Sequence, residues 1–189
     1  IERDGLQDAW AESASENFTY GGKQYGLPHV YNVYCVAYNK ALFDEAGLDY
    51  PTADWTLDEF TAAMETLTKG DGAQKVYGFG GYGAYAANEY VHVFGGETYG
   101  WENGFEVFPN GTEDVITALE YFKDQIDKGV TPAPDSDAND IGFESGRYAM
   151  YVAAPWSMAT WQTQIDSFEW DLVTFPKVEN GAWYSRVFP

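Results

Sequence analysis

Apolar positions along the chain change their period several times, and each change marks an element. Residues 1–22 carry acids, Ser, Asn and Gly around isolated aromatics, a pattern that predicts only a loop or frayed helix. From Gly22 to Tyr38 the run GKQYGLPHVYNVYCVAY alternates and is rich in Val and Tyr, as a half-buried strand or strand pair requires. Asn39 to Ala46 then reads as a short helix, with Gly47 placed to cap it where positive φ costs glycine least.

Thr56 followed by Glu59 forms a capping box, and Leu57, Phe60, Ala63, Met64 and Leu67 are spaced to share one helical face. Lys75 to Phe79 predicts a short strand that runs into the turn GGYG at 80–83. A helical stretch from Tyr85 to Phe94 ends at Gly95-Gly96. Thr112 opens a long helix to Lys128, with Val115, Ile116, Leu119, Phe122 and Ile126 as its buried side and Gly129 as its stop. Beyond an acidic loop at 133–140 come a helical turn at Ile141–Ser145, a strand at Tyr148–Ala153, a helix after Pro155 and a strand at Trp170–Phe175. Strands alternating with helices predict an α/β domain.

Composition narrows the function. Thirty acidic residues against ten basic ones leave a net charge of −20, which repels a polyphosphate backbone and an anionic lipid surface alike. Nucleic acid is therefore excluded as a partner. Aromatics make up 18% of the chain, more than a core of this size needs, so some should line a surface or cleft. Tyr and Trp present a flat apolar face with a polar edge, which suits sugars. The lone Cys35 forms no internal disulfide and reads as a small buried hydrophobe. No Cys/His cluster suggests zinc, and no cofactor is expected. No apolar run approaches the ~18 residues of a membrane span.

Several segments line up in order with the second lobe of bacterial extracellular sugar-binding proteins of the maltose-binding type. YGLPHVYNVYCVAYNKALFDEAGL at 25–48 resembles the family's crossover strand and Tyr-Asn-Lys helix start, and DWTLDEF at 54–60 its Trp-Thr-x-x-Glu helix entry. FGG at 94–96, FESGRYAM at 143–150, APW at 154–156 and FP at 175–176 are similar to later family signatures in the same order. The resemblance covers roughly residues 20–185. It implies a type II periplasmic-binding-protein-like lobe, a mixed sheet flanked by helices, in a protein whose two lobes close on a ligand. The implied divisions are an end of the first-lobe segment or loop at 1–21, a hinge crossover strand at 22–38, the second lobe at 39–175 and a return crossover at 176–189. Family members run to about twice this length, so the chain is expected to be a fragment.

The function implied is reversible carbohydrate capture for the permease subunits of an ABC importer, with no catalytic residues. The location implied is extracytoplasmic, periplasmic or as a cell-surface lipoprotein, with membrane attachment only through a lipid anchor outside this chain. Trp156 leads the candidate ligand contacts. It follows Pro155 at a helix start just after a strand, where open α/β sheets place ligand-facing groups, and it matches the family's sugar-stacking Trp. A core Trp wedged under the helix is the competing reading. Tyr82 and Tyr85 flank the glycines after the strand at 75–79, and Tyr85 matches a family stacking tyrosine, while Gly83 stands where the maltose-binding member has a carboxylate. Tyr31 and Asn32 fall in the crossover strand, and Asn32 replaces a family carboxylate with a neutral donor and acceptor. Asn88, three residues past Tyr85, shares its helical face.

Other signals carry less. DSDAND at 135–140 has the Asp135, Asp137 and Asn139 of a calcium loop, but Asp140 in place of the glycine and no Glu at twelve. It reads better as an acidic helix-capping loop. His29 and His92 sit in different elements without a nucleophile motif. The alternatives are a glycoside hydrolase, given so many carboxylates, and a binding protein for a non-sugar polar solute.

Overall fold

The computed structural model of the protein describes residues 18–27, 32–81, 90–96, 100–102, 105–107, 112–178 and 187–188. They fall into two compact units, divided between Val33 and Tyr34 and again between Ser185 and Arg186. In chain order the smaller unit contributes β1 (Thr19–Tyr20), β2 (Lys23–Gln24) and β3 (Asn32–Val33). The larger follows with β4 (Cys35–Asn39), α1 (Lys40–Ala46), α2 (Leu57–Leu67), β5 (Tyr77–Gly80), β6 (Gly100–Glu102), β7 (Phe105–Val107) and α3 (Glu113–Asp127). It ends with β8 (Tyr148–Ala153), α4 (Pro155–Gln164) and β9 (Trp170–Val173), after which β10 (Val187–Phe188) belongs again to the smaller unit.

In the smaller unit β1 pairs antiparallel with β2, and β10 with β3. Residues 18–24 are thus a tight hairpin turning through Gly21 and Gly22, both at positive φ, rather than the loop or frayed helix that the weak apolar pattern suggested. A two-residue Gly-Gly turn supplies the hairpin's twist without any apolar face to announce it.

The larger unit is built on a four-stranded sheet in the order β5-β8-β4-β9. β5 and β8 run parallel, and β4 runs antiparallel to both β8 and β9. The central strand β8 is buried along its whole length, as a strand covered on both faces must be. Alternate residues serve two cores. Val36 and Tyr38 of β4 with Met150 and Val152 of β8 join Phe60, Met64, Phe79 and Phe122 on one face. Ala37, Tyr151 and Ala153 join Phe143 and Trp161 on the other.

The helices begin and end where the local chemistry dictates. Asn39 caps α1 by accepting from the Leu42 N–H at 3.3 Å. At the other end of α1 the N–H groups of Gly47 and Leu48 bond back to the carbonyls of Asp44 and Phe43, with Gly47 at φ 67°. This is the Schellman geometry that only a left-handed residue closes cheaply. In α2, Thr56 Oγ1 accepts from Glu59 N at 3.2 Å, and the Glu59 carboxylate accepts in return from Thr56 N at 2.7 Å. The Thr56 N–H and the Thr56 hydroxyl, which also donates to the Glu59 carboxylate at 3.0 Å, hold the Glu59 carboxyl below its ordinary range, the backbone donor contributing most.

One expected face is rotated. The inward stripe of α3 is Val115, Ala118, Phe122 and Gln125, whereas Ile116 and Leu119 are each 44% exposed. At 100° per residue they lie about 140° and about 80° from the centre of that stripe. Apolar size alone nominated them, but the small Ala118 is what lets the helix approach the core. Close approach also governs β5. A Cβ on Gly78 would stand 2.2 Å from the Met64 carbonyl oxygen of α2. The Gly78 N–H donates instead to Thr68 Oγ1 at 3.0 Å.

Gly78→Ala is expected to lower unfolding stability by about 1–3 kcal/mol in urea titration, since the α2 backbone must move to admit a methyl group. Thr56→Ala should cost about 1 kcal/mol near neutral pH. Because Glu59's folded pKa is depressed, its contribution is present above the unfolded carboxylate pKa and is lost as pH falls through the folded one. The advantage of wild type over Thr56→Ala should therefore shrink on acidification, as read by thermal melts across that range.

Candidate functional site

The strand directions bring one edge of the sheet into prominence. β5 and β8 are parallel, so Gly80 and Ala153 end on the same side, and the start of β4 joins them because Cys35 pairs with Ala153. Carboxyl ends of parallel strands in open α/β sheets are where ligands are met.

Trp156 stands at this edge. Ala153 ends β8, Ala154 is the N-cap of α4 with extended backbone, and Pro155 takes the first helical position, where its missing N–H costs nothing. The indole of Trp156 is 49% exposed and meets the ring of Tyr34 edge-on, with centroids 5.8 Å apart and planes at 86°. The competing reading of a core tryptophan under the helix fits Trp161 instead. Five residues along α4 turn the side chain by about 140°, and Trp161 is 3% exposed, packed on Phe143 at 4.9 Å, with its indole N–H donating to Glu144 at 3.2 Å.

Of the other sequence-nominated contacts, Tyr31, Tyr82, Tyr85 and Asn88 lie outside the described residues. Asn32 is placed in β3, paired with Phe188, and its side chain also lies outside the description. The residue that the sequence reading passed over is Tyr34. It shares the alternating parity of Val36 and Tyr38 and packs against the same core cluster, so the period of two in 30–38 already carried the signal.

Burial pushes the Cys35 thiol up to about 11, so it is protonated at neutral pH, and its Sγ sits 4.0 Å from the Ala153 carbonyl oxygen. It acts as a packing group there. Among the described residues no His, Cys, Asp and Glu side chains gather as a metal-holding cluster, and no helix is long and apolar enough to cross a membrane. The acidic loop satisfies itself: the Asn139 side-chain amide donates to the carbonyls of Ala133, Pro134 and Ser136, and Ser136 accepts from Ala138 N. A separate concavity of about 430 Å³ opens between α1 and α2, lined by Phe43, Leu48, Tyr50, Pro51, Trp55 and Ala63 among others, and Trp156 has no part in it.

A mixed sheet flanked by helices, with a half-exposed indole at the ends of its parallel strands, defines a lobe of the type II periplasmic-binding-protein kind. The family model for bacterial extracellular solute-binding proteins matches residues 3–187, and the chain belongs to that family. A putative binding protein of Brucella abortus is 29% identical over 167 residues, which is 85% of this chain and 40% of that protein. An ABC substrate-binding protein from Listeria monocytogenes in complex with cycloalternan is 28% identical with TM-score 0.74, covering 95% of this chain and 46% of that one. The cyclic alpha-maltosyl-1,6-maltose binding protein from Arthrobacter globiformis is 27% identical with TM-score 0.74, covering 93% and 45%. The chain thus spans less than half the length of these relatives. The family is one of extracellular solute-binding proteins, which supports an extracytoplasmic location, and the matched relatives are binding proteins rather than glycoside hydrolases.

The two tryptophans of α4 should separate cleanly in thermal unfolding. Trp161→Ala is expected to cost about 3–5 kcal/mol, as a large buried ring does. Trp156→Ala should cost clearly less than Trp161→Ala, because about half of the residue already faces solvent.

Proposed function

We propose that this chain supplies one lobe of the solute-binding component of an ABC importer, and that the captured solute is a carbohydrate stacked on Trp156. Support comes from family membership, and from relatives whose solved structures are described with cycloalternan or by cyclic alpha-maltosyl-1,6-maltose binding. The observation that carries the reading to this chain is the indole left half-exposed at the sheet edge while its neighbour Trp161 is buried. A pyranose offers a C–H face to such a ring. Covering about 100 Å² of apolar surface at ~25 cal/mol per Å² contributes about 2–3 kcal/mol before ordering costs.

Tyr31, Asn32, Tyr82, Tyr85 and Asn88 are proposed to complete the contacts, the two amides serving hydroxyl groups and the tyrosines further sugar faces. The segments 22–38 and 176–189 are proposed to cross between lobes. Closure follows the hinge motion known for periplasmic binding proteins in general. Ligand that touches both lobes only when closed favours the closed state by its differential affinity. The closed form then docks on permease subunits, with the protein held at the membrane by a lipid anchor outside these residues.

In the intact protein, Trp156→Ala should weaken saccharide binding about 30- to 1,000-fold, equivalent to about 2–4 kcal/mol, as measured by calorimetric titration with linear and cyclic gluco-oligosaccharides. The melting temperature without ligand should fall less than it does in Trp161→Ala. Unchanged affinity would remove the indole from the site. A thermal-shift panel of mono- and oligosaccharides, peptides and polyamines would sort solute classes, because a ligand held by the native state raises its stability.

A further inference from the structure

We propose that Tyr34 is a positioning residue of the binding site, holding the Trp156 indole in the orientation on which ligand stacks. The inference rests on the reading of Trp156 as the stacking surface.

The two rings differ in how firmly they are rooted. Tyr34 is partly buried, directly precedes β4, and packs against the core cluster that contains Val36, Tyr38, Phe79 and Met150. Trp156 is half-exposed and belongs to neither described core cluster. An exposed indole on a helix's first turn has several rotamers open to it, and each would turn its face in a different direction. The near-perpendicular contact at 5.8 Å selects among them, because an edge-to-face pair sets the partial positive charge of one ring's edge against the negative face of the other. Rotating the indole away forfeits that attraction.

The position of Tyr34 is itself fixed by hydrogen bonding. Cys35, its neighbour, pairs with Ala153, two residues before Pro155. The same pairing therefore sets where both rings emerge, and the contact between them is built into the register of β4 on β8. Preorganisation of this kind raises affinity by reducing what must be ordered on binding. Loss of it should show mainly in the dissociation rate.

The test uses the intact protein with maltotetraose and a cyclic gluco-oligosaccharide as probes. Tyr34→Phe keeps the ring and should stay within about two-fold of wild-type affinity. Tyr34→Leu keeps apolar bulk but loses the aromatic ring, and should weaken binding about three- to ten-fold. In a Trp156→Ala background Tyr34→Leu should make no further difference. Without ligand, near-ultraviolet circular dichroism should lose the same band in Tyr34→Leu and in Trp156→Phe, and keep it in Tyr34→Phe.

Equal losses from Tyr34→Leu in both backgrounds, or an unchanged dichroism band in Tyr34→Leu, would overturn the positioning role while leaving Trp156 as the stacking ring. If Trp156→Ala binds both probes as tightly as wild type does, the stacking reading fails, and the role given to Tyr34 fails with it.

Discussion

The antiparallel pairing of β4 with β8 is the contact on which the larger unit depends. Cys35 to Tyr38 lie against Ala153 to Met150, and three consequences follow from that register. It closes one edge of β8 while β5 closes the other, which makes β8 an interior strand of the sheet. It directs Val36, Tyr38, Met150 and Val152 to one core and Ala37, Tyr151 and Ala153 to the other. It also brings the start of one strand to the end of the other, so that Tyr34 and Trp156 meet. A slip of one residue would exchange the two faces and part the rings.

Aromatic residues divide between these tasks unequally. Most described rings are interior, in a chain of edge and tilted contacts from Trp55 through Phe60, Phe79 and Tyr90 to Phe122 on one face, and around Phe143 on the other. A high aromatic content is therefore mainly a way of filling thin layers between a small sheet and short helices. Trp156, like Tyr20, Tyr25 and Tyr50, is exposed and lies outside that interior pattern, so the overall aromatic content does not by itself mark a ligand surface. Charge plays a different part. Lys40, Lys69, Lys128 and Lys177 each pair with a carboxylate at the surface, contacts that add little stability individually and leave the acidic excess to keep the surface hydrated and repel polyanions.

Sequence and structure agree most closely where a short stretch contains the whole cause. The capping box at Thr56–Glu59 and the glycine stop at Gly47 are satisfied by atoms a few residues apart, and β8 follows from an apolar run with a proline just past its end. The ordered motifs at roughly 20–185 point to the family, and the family model matches a longer span, residues 3–187. Agreement weakens where the cause is distant. Ile116 and Leu119 were assigned inward on apolar character, yet the orientation of α3 is set by what Ala118 and Phe122 meet across the core. The hairpin at 18–24 leaves no periodic signal in the sequence, because its two short strands bury almost nothing.

The sequence by itself determined the α/β alternation, the helix boundaries, the acidic surface and the candidacy of Trp156, because each is encoded in local spacing or in composition. Only the tertiary structure decided that Trp156 faces outward while Trp161 is enclosed, and that Tyr34 stands beside it. Those outcomes depend on strand register, fixed by pairings more than a hundred positions apart, and on the rotation of α4, fixed by the contacts of Trp161 with Phe143, Glu144, Tyr151 and Trp170, all outside α4 itself.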